Sequence, residues 1–401
     1  MNQALSLLLL SCLALAASCE APHSKQLPRH PGSAAPRPTT APVLEPIRTP
    51  RPQAMQLGYH RYVGTVGGQP VVVELTVTVP SFPDDIPNNS ECIGQYYDTR
   101  SGVVYGLQSD GLFWPNHPLE LIGGQDATGI TRRWCATQRF GPYLSGTCVS
   151  GSGRAPVPFL LRESYTGAVR YEVLREEVRG RVGRNYFGEP DSSIIITEHL
   201  HLLGPDTARP ALAKLQCPRL ARRQRARQAL SAKLTPTPED MAAVYDRSTA
   251  VMLNEADILA CHEYLTESVV MKHRSEYSGR YRVFDLRTGQ PLDVLAQLRP
   301  GGLQVLRQRI TRQALRDTAA YARDYWMKDG RMPLPTDGFA LTPAGWEADY
   351  STTEDEEPQA FQWQISWAEL GPFLRPGSPL LRLVRARSER ANPPHRNNSA
   401  K

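Results

Sequence analysis

Nine prolines fall between residues 20 and 53, at positions 22, 28, 31, 36, 38, 42, 46, 50 and 52, interspersed with Ser, Thr, Ala and Arg. A stretch of that composition cannot bury a core and favours extended polyproline backbone. The folded part of the chain is thereby confined to the residues C-terminal of it, roughly 350, enough for two domains. At about 3.1 Å per residue the proline-rich stretch reaches on the order of 100 Å, the dimension of a stalk.

Ahead of it lies an apolar run, Leu5-Ser6-Leu7-Leu8-Leu9-Leu10-Ser11-Cys12-Leu13-Ala14-Leu15, closed by Ala16-Ala17-Ser18-Cys19. A spanning helix needs roughly 20 apolar residues, so a short run ended by small residues reads as a signal peptide. Ala16-Ala17-Ser18-Cys19 resembles the bacterial lipobox, in which the cysteine thiol is joined to diacylglycerol before cleavage. It differs from the usual pattern in having Ala three residues before the cysteine and no Lys or Arg ahead of the apolar run. The expectation is an exported protein of the bacterial cell envelope, with the membrane as a partner through a lipid on Cys19. Glu20 in place of Asp points toward an outer rather than an inner membrane in a two-membrane cell.

The formal net charge of +6 is modest and partly local: Arg219, Arg222, Arg223, Arg225, Arg227 and Lys233 share one stretch without an acidic residue. Export makes nucleic acid an unexpected partner, and a solvated helix face or anionic lipid contact accounts for the stretch. Beyond the leader, Cys92, Cys135, Cys148, Cys217 and Cys261 remain, an odd number that leaves at least one thiol unpaired within the chain. The segment Trp134–Cys148 reads as two strands turning at Gly141-Pro142, with Cys135 and Cys148 equidistant from the turn. Directly opposed strand residues lie within disulfide range, so a Cys135–Cys148 bridge is expected.

From about residue 54 to 180 the pattern is short apolar strands between tight turns. Tyr59–Val66 meets Gln69–Val77 across Gly67-Gly68, a link supplying the positive φ angles of a two-residue hairpin. Further strands are expected at Ile93–Tyr97, Gly102–Leu107, Leu119–Ile122, Ile130–Trp134, the cysteine hairpin and Val157–Leu161. Regular spacing of this kind predicts an all-β domain, an antiparallel meander that curls or closes into a barrel, whose lumen at about eight strands is usually filled.

Residues 190 to 387 change character. Strands are expected at Ile194–Leu202, Ala250–Leu253, Leu259–Tyr264 and Tyr281–Leu286, with a helical region running to about Ala232. A second helix comes after Pro300-Gly301-Gly302, with Leu303, Leu306, Ile310, Ala314, Tyr321 and Tyr325 near one face. Phe361-Gln362-Trp363-Gln364-Ile365-Ser366-Trp367 alternates apolar and polar residues strictly, the mark of a sheet with one buried face. The expectation is an α+β domain with packed helices on an antiparallel sheet. The whole layout is then a signal peptide over 1–18, lipidated Cys19 and tether over 19–53, the β-meander over 54–180, the α+β domain over 190–387, and a disordered tail over 388–401.

Asp285-Leu286-Arg287-Thr288-Gly289-Gln290-Pro291-Leu292, the helix after it and the strand Phe361 to Leu370 resemble a bacterial envelope family. It is the domain of unknown function shared by the lysozyme-binding RsiV anti-sigma factor ectodomain and the noncatalytic part of the peptidoglycan deacetylase PdaC. The resemblance covers about 190 to 385. Members often carry Gly-Gly-Ala-His before the Asp-Leu-x-Thr-Gly strand; this chain has His273–Arg280 there instead. The resemblance implies architecture and an envelope setting, and it transfers no lysozyme-binding residues.

No phosphate-cradling glycine loop, Gly-x-Ser-x-Gly elbow, CxxC pair or His-Glu-x-x-His is present. His199 and His201 share one strand face, but a metal site needs a third ligand, so no metal and no cofactor are expected. Glu354-Asp355-Glu356-Glu357 lacks the spacing of a calcium loop. Trp363 and Trp367 alternate with Phe361 and Ile365 and read as core. Three functions compete. The first is a noncatalytic lipid-anchored protein binding an envelope protein or peptidoglycan, with no catalytic residues. The second is a small-molecule carrier, which requires an apolar cavity in the barrel. The third is a hydrolase, which requires Glu198 or His201 to meet His262 or Glu263.

Overall fold

The computed structural model describes residues 58–78, 91–109, 118–123, 131–137, 141–150, 155–184, 190–203, 228, 243–269, 274–317, 327–335, 338–351 and 360–391. Cys19, the proline-rich stretch, the Arg219–Lys233 segment apart from Gln228, Cys217, Tyr321, Tyr325 and Glu354–Glu357 lie outside the described residues.

The meander closes. Strands β1 (Gly58–Val66), β2 (Gln69–Thr78), β3 (Glu91–Asp98), β4 (Val104–Ser109), β5 (Glu120–Gly123), β6 (Arg132–Ala136), β7 (Tyr143–Ser150) and β8 (Val157–Glu163) form an eight-stranded closed barrel in sequence order. Every neighbouring pair is antiparallel, including the closing pair β1 and β8. Alternation decides which residues face in: Tyr62, Leu75, Tyr96, Trp134, Phe159 and Leu161 are all buried together in the lumen. Trp134 sits 4.9 Å from Tyr96 and 5.2 Å from Phe159, ring centroid to centroid, so aromatic side chains occupy the barrel's centre. Each such side chain stabilises the fold by about 1.5–3 kcal/mol. Closure also needs places where two strands come unusually close. At Gly94 a Cβ would stand 1.9 Å from the Glu74 carbonyl oxygen on β2, so only glycine fits there.

The hairpin register corrects the disulfide expectation. Cys135 is paired with Thr147, and Cys148 with Trp134, one residue away from the expected match. A one-residue slip moves a side chain to the opposite face. Cys148 therefore joins the lumen beside Trp134, while Cys135 is only half-buried, and both are free thiols. Cys92 and Cys261 are also free and buried.

The second unit begins earlier than its sequence pattern showed. β9 (Arg170–Arg184) pairs not with the barrel but with β10 (Pro190–Leu203). These two join β11 (Ala243–Glu255), β12 (Ile258–Val269), β13 (Arg274–Asp285) and β14 (Gln290–Pro291) in a six-stranded sheet of order β14-β13-β12-β11-β10-β9. It is mixed: β10 and β11 run parallel, and the others antiparallel. A parallel pair needs a crossover of a dozen residues or more, and the chain between Leu203 and Ala243 supplies that length.

One face of this sheet is covered by helix α1 (Gly302–Asp317) and a three-stranded sheet of β15 (Ala340–Leu341), β16 (Gly345–Ser351) and β17 (Ala360–Ser366). Leu306, Ile310 and Ala314, spaced four apart on α1, are fully buried against Trp346, Trp363 and Ile365. Trp363 and Trp367 belong to this core, and the Trp367 indole N–H donates to the Thr342 carbonyl at 3.0 Å. Helix α2 (Trp367–Leu370) starts with a capping box between Ser366 and Glu369, and helix α3 (Leu381–Ala391) comes after it. The other face of the sheet meets the barrel: Tyr59 of β1 stacks on Tyr171 of β9 at 4.1 Å and packs with Leu259, Cys261 and Phe284.

Candidate functional site

The Asp-Leu-x-Thr-Gly segment is a tight turn with a structural duty. The Asp285 carboxylate accepts from Arg287 N at 3.1 Å, and its carbonyl accepts from Gly289 N at 2.6 Å, with Gly289 at φ 67°. The same carboxylate receives the Arg382 guanidinium of α3. Across the turn Arg287 reaches Asp257 at 2.6 Å. The motif fastens β13 to the last helix.

Asp257 belongs to the second polar constellation, built on the β11–β12 hairpin tip. Ala256 and Asp257 adopt φ of 52° and 59°, a left-handed pair that an L-residue rarely holds. The tip is secured to the segment joining barrel and sheet. Asn254 exchanges two bonds with Val169, at 2.7 and 2.9 Å, and Asp257 N donates to the Gly167 carbonyl at 2.7 Å. Glu255, 1% exposed, then points at the barrel, where the Tyr97 hydroxyl donates to it at 3.0 Å. Arg387 of α3 donates to the other Glu255 oxygen, donates to the Thr99 carbonyl at 3.3 Å, and lies 5.1 Å over the Tyr97 ring.

Beside this pair the outer face of the barrel carries Glu74 and Arg61, both buried. Glu74 accepts from Tyr59 at 2.7 Å and from Gln95 at 2.8 Å. Burial raises the Glu74 carboxyl above its ordinary range, opposed by the Arg61 charge and the two hydrogen bonds. Arg61 donates to the Ser164 carbonyl at 3.0 Å. Two carboxylates and two guanidiniums thus stand out of water between barrel and sheet, an arrangement tolerated only when each charge is met. Neither Glu255 nor Arg387 stood out in the sequence, because nothing local marks two residues 132 positions apart as partners.

The residues singled out for acid–base or metal chemistry are dispersed over the sheet. The Glu198 carboxylate accepts from Thr249 N at 3.2 Å. His201 lies 3.9 Å from Glu172. Glu276, a further acid on β13, stands opposite Glu267 in the β12–β13 ladder. Among the described residues no group of three His, Cys, Asp or Glu is placed to hold a metal. His262 and Glu263, adjacent on β12, point to opposite faces. The four candidates of the hydrolase reading are each engaged by a different neighbour.

His262 is 8% exposed, with its ring 3.8 Å from Tyr264 and 4.1 Å from Tyr281, and neither ring nitrogen has a hydrogen-bond partner among the described residues. It lies directly over Gly279, where a Cβ would stand 2.4 Å from its Nε2. Burial pushes the imidazole down to about 4, below its usual 6.5, so it is neutral at pH 7. A depressed folded value means that the unfolded chain binds the proton more readily between those limits. Stability is therefore full above pH 6.5 and falls as pH drops toward 4, by at most about 3 kcal/mol. Urea unfolding at pH 7.5 and 4.5 should show that loss, and His262→Phe should remove its share; an unchanged pH slope in the variant would refute the assignment.

Glu263, on the opposite face, sits among three arginines. Arg280 reaches it through two N–H groups at 2.9 and 2.8 Å, Arg282 at 2.7 Å and Arg247 at 3.3 Å. Burial alone would raise its carboxyl; the bonds from Arg282 and Arg280 outweigh that and hold it down at about 2.

The fold and these clusters define a closed eight-stranded β-barrel joined through a buried charged junction to an α+β domain. No family model matches the chain, and no curated protein matches it. Two solved structures of DUF3298 family proteins, a family of unknown function, align with it. One, from Bacteroides fragilis NCTC 9343, is 13% identical over 55% of this chain and 99% of its own, with a TM-score of 0.42. The other, from Pseudomonas aeruginosa PAO1, is 15% identical over 54% of this chain and 98% of its own, with a TM-score of 0.37. Among the described residues no helix is long and apolar enough to cross a membrane.

Proposed function

We propose that this chain is a noncatalytic, lipid-anchored protein of the bacterial cell envelope that binds a protein or peptidoglycan component. The observation that carries the reading is the pairing of a leader ending at Ser18, next to Cys19, with a proline-rich spacer, ahead of a folded body whose buried charges serve its own junction. An anchor and a spacer place a body away from a bilayer, where a binding surface is useful. The barrel is filled by Trp134, Tyr96, Phe159 and their neighbours, which favours a binding body over a carrier.

Two measurements test the reading. Cells fed a radiolabelled fatty acid should label the chain and retain it in the membrane fraction, and Cys19→Ser should abolish both. The immobilised protein should also retain a discrete protein or muropeptide from envelope extracts. Absence of label from the unaltered chain would end the lipoprotein reading, and an empty capture would end the binding reading.

A further inference from the structure

The outer wall of the barrel is wet except where the sheet covers it. The outward side chains Val63 of β1, Tyr143 of β7 and Leu160 of β8 are 37%, 54% and 63% exposed. Glu74 also points outward, between the lumenal Val73 and Leu75, yet it is only 6% exposed. It lies where the sheet docks, beside Tyr59, whose ring packs on Tyr171, Leu259, Cys261 and Phe284. Docking is therefore what takes this carboxyl group out of water. The two buried acids of the junction are met differently. Glu255 faces the Arg387 guanidinium, which can only donate. Glu74 forms no ion pair among the described residues, and its oxygens take the Tyr59 hydroxyl at 2.7 Å and the Gln95 amide at 2.8 Å, both neutral. Arg61 directs its Nη1 to the Ser164 carbonyl instead.

We infer that docking of the barrel on the sheet takes up a proton at Glu74, so that the junction is a pH-sensitive latch, tightest in acid and looser as pH rises. Taking a carboxylate out of water with no cation against it disfavours the ionised form. One proton moves from solvent to a Glu74 oxygen as the junction closes and returns to solvent as it opens. The Tyr59 hydroxyl suits both states: it donates to the carboxylate and, turned about its C–O bond, accepts from the acid. Burial raises the Glu74 carboxyl, against the Arg61 charge and the bonds from Gln95 and Tyr59. A carboxyl held higher in the closed junction than in the open one stabilises closure fully below its open-state value. That contribution is lost as pH rises through the closed-state value. The other groups that meet here do not compete. Burial raises Tyr59 of β1, Tyr97 of β3 and Tyr171 of β9 well above their ordinary range, and Cys261 of β12 to about 12, so all four stay protonated. Further along the sheet, Arg282 and its neighbour Arg280 hold Glu263 down at about 2. His262, on the far face of the sheet, has the opposite pH dependence and does not touch the junction.

Cys261 reports the latch, because it lies 4% exposed beneath the barrel, packed with Tyr59 and Phe284. The full chain is treated with 4,4′-dithiodipyridine at pH 4.5, 6 and 8, and modification of each cysteine is followed by mass spectrometry. Glu74→Gln keeps the neutral form at every pH, and the ratio of rates between the natural chain and this variant cancels the pH dependence of the thiol chemistry. Cys261 should react about equally fast in the two chains at pH 4.5, and at least about threefold faster in the natural chain at pH 8. Cys148, inside the barrel, should react alike in both chains, which separates opening of the junction from unfolding of the barrel. If Glu74→Gln fails to fold, Gln95→Leu takes a donor from the ionised form and should extend the rise in Cys261 reactivity to higher pH. A rate ratio that stays constant with pH, faster reaction of Glu74→Gln at pH 8, or Cys148 following Cys261 would each overturn the latch. So would a Gln95→Leu profile identical to that of the natural chain.

Discussion

Arg387→Met is expected to destabilise the protein by about 3–5 kcal/mol and to split its unfolding into two transitions. The substitution takes the Arg387 guanidinium from Glu255, which stays buried at 1% exposure beside the Tyr97 hydroxyl. Stranding one member of a buried ion pair costs that much, because the orphaned ion has lost water without compensation. The split arises from where the pair lies. Arg387 touches the Thr99 carbonyl and the Tyr97 ring on the barrel side and Glu255 on the sheet side, so one side chain joins both units. Denaturant unfolding monitored by Trp fluorescence and far-ultraviolet circular dichroism should give coincident curves for the natural chain and divergent ones for the variant. Glu255→Leu combined with Arg387→Met should recover much of the loss, since an apolar pair carries no stranded charge. A single, unshifted transition in Arg387→Met would show that the junction contributes nothing.

Gly94→Val carries the second large effect. Any Cβ at position 94 would sit 1.9 Å from the Glu74 carbonyl oxygen and 2.9 Å from the Leu75 Cα, both backbone. Backbone cannot swing aside as a long side chain can, so β2 and β3 must separate. Their separation withdraws Gln95 from Glu74 and opens the lumen at Leu75 and Cys92. The expected result is a protein without a folded barrel, a loss exceeding about 5 kcal/mol, the range reserved for broken cores and networks. Protease resistance of the barrel strands reads this directly. Gly106→Ala is the control, because a Cβ there meets nothing within 4 Å and should leave the barrel intact.

Much of the fold was legible because local chemistry repeats. Gly67-Gly68 sits at positive φ between β1 and β2 as the hairpin pattern requires, and the alternation of Phe361 to Trp367 marks the core face. Legibility failed where a single register step decides the outcome. The turn between β6 and β7 is centred on Gly141 rather than between Gly141 and Pro142, and that half-step separates Cys135 from Cys148. It failed again at β9, whose charged run Arg175-Glu176-Glu177-Val178-Arg179 gives little alternation for a strand 15 residues long. The candidate site was half legible. Glu263 was noticed as an acid, but its chemistry is set by Arg247 and Arg280, each facing it from another strand.

The junction also gives the polypeptide a direction in time. Glu255 can be desolvated only when α3 is present, yet α3 comprises Leu381–Ala391 and is made more than a hundred residues later. A chain delivered from its N-terminus can close the barrel first, since all eight barrel strands precede residue 164. The Glu255–Arg387 pair of the docked junction must await α3. Release before residue 381, by premature termination or by a protease, would leave Glu255 in the junction without its guanidinium partner.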